Sequence, residues 1–408
     1  MIHVSFSLHD KTGRYSKFTG TAMLSLLENT TSPVTVHILH DNTLTADNRD
    51  KFSYIAGQYH QRVKFYNVET LCADKIAEYN RSIPSIKTLP FTIGAMYRLF
   101  LAQIFPEDIE KIIYLDSDLI INLDINEMWR IELGEKILAA VTESSNSVNT
   151  QNNLSLCREG LVKADDYFNS GVLIMNLELL RANEDSIYRA IKFVSENPRF
   201  AANPDQDMLN YIFATQTLKL PIKFNTFVRD ARRRSEKKIA RKIYHYLSGA
   251  YGQGLLLDTG DAFNRLWMSY FVRTPFFDAD TIGRLYAGFR NMHVGFKNSL
   301  AQVSAMVSGK TRAFFAVPGD FNTIRQIFYI RPDEEIIAAD NQASFQKLLN
   351  IMHVSRGKKI FFIVVRNFPF QILAQAGFVA GKDFVNGLDF MSEAHGVPLN
   401  SHALIQAM

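Results

Sequence analysis

Near the amino terminus, short β-branched runs alternate with helical patterns, and this alternation restricts the fold more than any other feature of the chain. Ile2 to Leu8, Val34 to Leu39 and Val63 to Asn67 read as strands, separated by helical periodicity from about Phe18 to Asn29 and near Thr45 to Gln58. Strands joined by helical crossovers run parallel, so the rhythm predicts a parallel sheet covered by helices. Further strands are expected at Lys111 to Leu115, Ile137 to Val141 and Gly171 to Asn176, with a helix from Glu184 to Glu196.

Beyond a basic run from Arg232 to Lys242 with helical spacing, helical patterns continue to about Val307. A second alternation follows, with strands at Arg312 to Val317, Ile336 to Ala339 and Lys359 to Val365 and helices starting at Phe321, Ser344 and Pro369. The expected organisation is therefore an α/β domain over 1–275, a helical connector over 276–309 and a small Rossmann-like α/β domain over 310–408. At 408 residues and 47% hydrophobic content the chain has material for both cores.

A formal charge of +4 with both signs mixed along the chain requires no nucleic acid partner. The two cysteines, Cys72 and Cys157, exclude a disulfide framework or a zinc cluster and suit a reducing, cytoplasmic setting. The amino terminus lacks the basic region and long apolar run of a signal peptide. No segment reaches the roughly 18 apolar residues of a membrane helix. A soluble or peripheral protein is expected.

Asp116 and Asp118 follow the strand Lys111 to Leu115. In extended geometry they point to one side with Cβ atoms about 6 to 7 Å apart, close enough to hold a hard divalent cation directly or through water. The alternative is a loop in which an aspartate caps a turn. Position favours the cation, because ligands of open parallel sheets bind at the carboxyl ends of the strands.

The string Tyr114-Leu115-Asp116-Ser117-Asp118-Leu119-Ile120 resembles the metal-binding motif of glycosyltransferase family 8, the retaining group that includes bacterial lipopolysaccharide galactosyl- and glucosyltransferases and glycogenin. The resemblance extends over about residues 1–275, and four more segments occur in the family's order. Met96-Tyr97-Arg98-Leu99 resembles the segment whose arginine binds the donor; alone, Arg98 reads as a helix-surface charge. Phe168-Asn169-Ser170-Gly171-Val172 is similar to the motif whose asparagine contacts the transferred sugar, although by itself it reads as a turn before a strand. Asp205-Gln206-Asp207 is similar to the segment whose first aspartate binds sugar hydroxyls and whose glutamine lies near the anomeric carbon; as a bare string it is a helix start. Tyr244-His245-Tyr246 matches the histidine that supplies the third protein ligand to the metal, where a lone histidine between aromatics reads as structural.

The resemblance implies a GT-A-type nucleotide-sugar-binding domain with a mainly parallel central sheet. It assigns Asp116, Asp118 and His245 to the metal, with Ser117 in the donor site. Mixed oxygen and nitrogen ligands fit Mn²⁺ first and Mg²⁺ second. It also implies transfer of a hexose, galactose or glucose, from a UDP-sugar to a glycan, glycolipid or protein-linked glycan, with Asn169, Asp205 and Gln206 at the reacting sugar. Two routes to retention stay open: attack by Gln206, and same-face substitution with the leaving phosphate as base.

The chain departs from the family in two places. After His245 it continues Leu247-Ser248-Gly249-Ala250-Tyr251 and reaches Trp267 through an insertion containing Asp258 and Asp261, so that Arg265 stands where the family has a diphosphate-binding lysine. After the first strand, Ser7 and His9 occupy the positions expected to contact the nucleotide, His9 in place of an acid.

The basic residues Arg232, Arg233, Arg234, Lys237, Lys238, Arg241 and Lys242, flanked only by Glu236, suggest contact with an anionic membrane surface or a solvated helix face. In the carboxyl-terminal domain, Val317-Pro318-Gly319-Asp320 and Asp340 echo a dinucleotide fold, but one glycine falls short of its fingerprint, so an accessory role is expected. The competing functions are a catalytically impaired carbohydrate-binding scaffold and, further off, a sugar-phosphate nucleotidyltransferase.

Overall fold

In the amino-terminal half, the apolar runs become strands buried on both faces: β1 (Ile2–Leu8), β2 (Val34–His40), β4 (Lys111–Leu115), β6 (Leu138–Thr142) and β7 (Phe168–Asn176). Shorter or more exposed are β3 (Arg62–Asn67), β5 (Leu119–Ile121), β8 (Thr217–Lys219), β9 (Thr226–Phe227) and β10 (Ile243–His245). The computed structural model describes residues 1–82, 93–146, 154–234, 236, 238–247, 261–279, 281–283, 309–328 and 330–389. The chain divides into two units, Met1–Asp278 and Ala279–Met408.

The first unit carries a seven-stranded sheet in the order β3-β2-β1-β4-β7-β6-β8. All pairings are parallel except those of β7, which runs against both β4 and β6. Side chains alternate across the sheet: Ile113 and Leu115 of β4 join one apolar core, while Ile112 and Tyr114 join the other. Helices Arg14–Asn29 and Ala262–Phe271 cover the first face, and Glu184–Glu196 and Pro204–Phe213 the second. A three-stranded sheet, β5-β10-β9, flanks the main one.

The first helix begins at Arg14, earlier than periodicity indicates, because Asp10 accepts hydrogen bonds from the backbone N–H of Tyr15 (2.9 Å) and Ser16 (3.2 Å). Gly13, at φ 72°, makes the turn between them.

The basic run is not one helix. Helix Val228–Arg233 stops at its start, and none of the described residues between it and β10 is helical. Nor is its charge uncompensated: Arg232 pairs with Asp261, Arg233 with Asp230, Arg234 and Lys242 with Glu236, and Arg241 with Glu127. Two of these four acids, Asp261 and Glu127, come from distant parts of the chain, which a count of flanking residues misses. Lys237, Asp258 and most of the expected 276–309 connector lie outside the described residues.

The second unit holds β11 (Thr311–Ala316), β12 (Glu335–Ala338), β13 (Lys359–Val364) and β14 (Phe384–Asn386) in the order β12-β11-β13-β14, all parallel. Asp340 is exposed after β12, whereas Asp320 is 1% exposed after β11 and neither of its carboxylate oxygens has a hydrogen-bond partner. Among the described residues, no helix is long and apolar enough to cross a membrane.

Candidate active site

Two antiparallel pairings assemble the site at the carboxyl end of β4. The first sets Leu115 opposite Val172, and the ladder continues one step further, with the Asp116 N–H donating to the Gly171 carbonyl at 2.8 Å. This brings Asn169, Ser170 and Gly171 beside Asp116. The second pairs His245 with Leu119, and the Tyr246 N–H donates to the Asp118 carbonyl at 2.9 Å. His245 thereby lies against Asp118.

β4 ends at Leu115, and the two carboxylates converge across a turn rather than by strand alternation. The Ser117 hydroxyl fixes that turn to the first helix through Thr19 Oγ1 (2.8 Å).

One ligand atom from each of Asp116, Asp118 and His245 falls within 4.8 Å of the others. His245 Nδ1 lies 3.0 Å from Asn225 Oδ1 and Nε2 lies 3.1 Å from Asp118 Oδ1; with Nδ1–H donating to Asn225, Nε2 is the nitrogen turned toward the carboxylates and the one that would take a cation. The fit to a cation is also visible in the backbone. A Cβ on Gly171 would stand 2.4 Å from His245 Cε1 and 2.7 Å from Asp116 Oδ2, so the space between these side chains depends on this residue having none.

Arg98 is 4% exposed and bridges the two halves of the site. Its Nη2 donates to Asp116 Oδ1 (2.7 Å), its Nη1 to the Ser170 carbonyl (2.7 Å), and its Nε lies 3.2 Å from Asp205 Oδ2. Burial opposes its charge, but Asp116 and Asp205 outweigh it and keep the guanidinium protonated. Burial raises the carboxyls of Asp116 and Glu143 above the usual range, although Arg98 and His245 pull Asp116 the other way. His245 is raised as well: burial disfavours its charge, and Asp118, Asp116 and Glu143 overcome that. Negative charge exceeds positive here, and a divalent cation would correct the imbalance.

Asn169 and Gln206 share a hydrogen-bonded network. Gln206 Oε1 accepts from the Ser170 N–H (3.0 Å) and from Asn169 Nδ2 (2.9 Å), and Gln206 Nε2 donates to Glu143 and to the Tyr167 hydroxyl, both at 3.3 Å. The Tyr167 hydroxyl donates to Asp207 at 2.6 Å. Burial raises the Asp207 carboxyl to about 6, against the bonds from Tyr167 and the Asn203 N–H.

A cavity of about 350 Å³ opens beside the acidic turn, lined by Ser7, His9, Arg14, Tyr15, Arg98, Asp116, Ser117 and Asp118 among others. The Ser7 hydroxyl bonds that of Tyr114 at 2.7 Å, and His9 Nδ1 is held by Asp41, which also accepts from the Tyr97 hydroxyl (2.8 Å). Despite burial, the bonds from Thr43, His9 and Tyr97 keep Asp41 ionised, so His9 Nδ1 is the donor.

The expected residues Ser7, His9, Arg98, Asp116, Ser117 and Asp118 thus share a cavity, and Asn169, Asp205 and Gln206 adjoin it through Arg98 and Ser170. Arg265 is exposed on helix Ala262–Phe271 and does not line the cavity, while Asp261 caps that helix and pairs with Arg232. Sequence reasoning missed Glu143, Tyr167 and Asn225. Glu143 follows β6 directly, and that strand-end position was its available signal; Asn225 carried none.

Residues 4–251 match the sequence profile of glycosyl transferase family 8. The lipopolysaccharide glucosyltransferase WaaO of Escherichia coli K12 is 31% identical over 211 residues, covering 51% of this chain and 58% of that protein. The lipopolysaccharide 1,3-galactosyltransferase of Salmonella typhimurium is 28% identical over 204 residues, covering 49% and 57%. The chain therefore spans somewhat more than half the length of these relatives. Among solved structures, the galactosyltransferase LgtC in complex with donor and acceptor sugar analogues superimposes with a TM-score of 0.54 at 18% identity, over 70% of this chain and all of that one. The bifunctional glycosyltransferase WbbM gives 0.53 at 16% identity, over 67% and 50%. These likenesses establish the GT-A fold.

Proposed function

The chain belongs to glycosyl transferase family 8, and from that premise we propose that it transfers a hexose, galactose or glucose, from uridine diphosphate to a glycan, glycolipid or protein-linked glycan acceptor, with retention of configuration. The observation that carries this reading is the convergence of Asp116, Asp118 and His245 around the side-chain-free space at Gly171, on the rim of a cavity lined by Ser7, His9 and Arg98. The names of the two lipopolysaccharide relatives support the choice of hexose.

Asp116, Asp118 and His245 would hold Mn²⁺, or less favourably Mg²⁺. Such an ion supplies Lewis-acid neutralisation of the diphosphate as the nucleotide departs. Arg98, kept charged by Asp116 and Asp205, adds fixed positive potential on the same side. Ser7 and His9 face the nucleotide, with the His9 ring oriented by Asp41. Asn169, Asp205 and Gln206 orient the sugar, and the bond from Asn169 to Gln206 and that from the Ser170 hydroxyl to Asp205 hold them in place before it arrives. Because the Gln206 oxygen already accepts from two donors, same-face substitution with the leaving phosphate as base is preferred to attack by the amide.

The placement of Arg265 does not favour the diphosphate role, and Arg14, which lines the cavity, is the better-placed cation. Two buried free cysteines suit a reducing, cytoplasmic setting. Peripheral docking on an anionic membrane remains for Arg233, Lys238 and Arg241 to supply; sedimentation with anionic vesicles, unchanged on reversing those three charges, removes it from the account.

The test of the reaction is hydrolysis of a panel of nucleotide sugars with Mn²⁺, Mg²⁺ or chelator. One UDP-hexose, cleaved slowly and only with the cation, is expected. No cleavage and no binding across the panel overturns the proposal in favour of a scaffold.

A further inference from the structure

Asn225 is completely buried between β8 and β9, away from the cavity lining, in a segment whose sequence gives no hint of chemistry. Its backbone is fixed by Asn146, whose Nδ2 donates to the Asn225 carbonyl (2.9 Å) and whose Oδ1 accepts from the Phe227 N–H (3.1 Å). Its side chain joins two groups that come from different parts of the chain. Oδ1 accepts from His245 Nδ1 at 3.0 Å, and Nδ2 donates to Asn169 Oδ1 at 2.7 Å.

The direction of each bond follows from the one before it. Asn169 Oδ1 also accepts from the Gly171 N–H (3.0 Å), so Asn169 Nδ2 must turn toward Gln206 Oε1 (2.9 Å) and Glu143 (3.1 Å). Gln206 Nε2 is in turn directed to Glu143 and Tyr167. A proton on His245 Nδ1 is thus consistent with one orientation of three successive amides, and a metal ion on His245 Nε2 requires that same proton on Nδ1.

We propose that Asn225 is a positioning residue that ties the metal-binding imidazole to the amides facing the donor sugar, so that cation and sugar bind cooperatively. The inference rests on the reading of the site given above. With the cation in place, the His245 tautomer is fixed, Asn169 and Gln206 are held in one orientation, and the sugar meets donors and acceptors already aligned. The two faces of the Asn225 amide have separable tasks, one toward the metal ligand and one toward the sugar-side amide.

Two variants separate those tasks. Asn225→Asp keeps an acceptor for His245 Nδ1–H but cannot donate to Asn169; Asn225→Leu removes both. The readouts are Mn²⁺ affinity, from titration of the ion with the full chain, and the ratio of UDP-hexose to UDP affinity with Mn²⁺ present, with thermal melting to confirm folding. Asn225→Leu is expected to weaken Mn²⁺ binding by about 10- to 100-fold. Asn225→Asp is expected to retain Mn²⁺ binding while the preference for UDP-hexose over UDP falls by about tenfold, the value of one well-placed hydrogen bond. Mn²⁺ binding by folded Asn225→Leu at the wild-type level, or an unchanged sugar preference in Asn225→Asp, overturns the inference and leaves the reading of the site standing. Absence of Mn²⁺ binding by the wild-type chain overturns both.

Discussion

Replacing Gly171 by alanine tests the geometry of the proposed metal site without touching any of its three proposed ligands. Gly171 lies in β7 with its carbonyl bonded to the Asp116 N–H and its own N–H to Asn169 Oδ1. Its backbone accepts an alanine; the space does not. The added Cβ would stand 2.4 Å from His245 Cε1 and 2.7 Å from Asp116 Oδ2. Carbon atoms in good contact are about 3.5 to 4 Å apart, so the imidazole must retreat by about 1 Å. That retreat is opposed, because His245 is 3% exposed, is bonded to Asn225, and has the Phe227 ring edge-on at 5.7 Å. A misplacement of about 1 Å lowers turnover about 100-fold, and disturbed ligand support lowers metal affinity about 10- to 100-fold. Overpacking of a buried strand also costs about 1 to 3 kcal/mol, so thermal melting must accompany the assay. Gly57→Ala, in a helix with open space around it, is the control and leaves Mn²⁺ binding unchanged. Titration with Mn²⁺ gives the answer directly: a folded Gly171→Ala that binds the ion as tightly as wild type refutes the assignment of these three residues as its ligands.

Gly20→Ala drives a Cβ into the Phe276 ring, 2.4 Å from its nearest carbon, and is expected to lower stability by about 1 to 3 kcal/mol in urea unfolding. His37, fully buried beside His3 and Tyr66, is held down to about 3 by burial, with His3 and Lys64 adding to the effect. The unfolded chain takes up this proton first, so the stability His37 confers is complete above its ordinary value of 6.5 and is lost as pH falls toward 3. Its upper bound is about 5 kcal/mol, and His37→Phe should flatten the decline in urea midpoint between about pH 7 and pH 5. Asp320, buried with both oxygens unpartnered, is raised by burial, so its ionisation destabilises the second unit as pH rises. Asp320→Asn is expected to raise that unit's melting temperature, by a margin that grows from acid to neutral pH.

Much of the first sheet could be read from β-branched runs, because strands buried on both faces leave a continuous apolar signal. The residues of the site could be read only in company: Asp116 and Asp118 mark a strand end, but the strand register decides that His245 stands beside Asp118. Charge was the least legible quantity. The basic run has one acid in its own sequence and acquires Asp261 and Glu127 only on folding. Glu143 and Asn225 were missed for a related reason, since a carboxylate that opens a one-turn helix, or an amide just ahead of a two-residue strand, gains meaning from partners 26 and 20 residues away. The early start of the first helix was hidden because Asp10 caps it from four residues before Arg14, across the turn at Gly13.

The most direct test of the account is calorimetric titration of the full chain with UDP, in Mn²⁺ and in chelator, beside the variant Asp116→Asn/Asp118→Asn. UDP binding that needs the cation and is lost in the variant is the expected result. Equal UDP affinity with and without Mn²⁺, or a variant that binds as well as wild type, would contradict it.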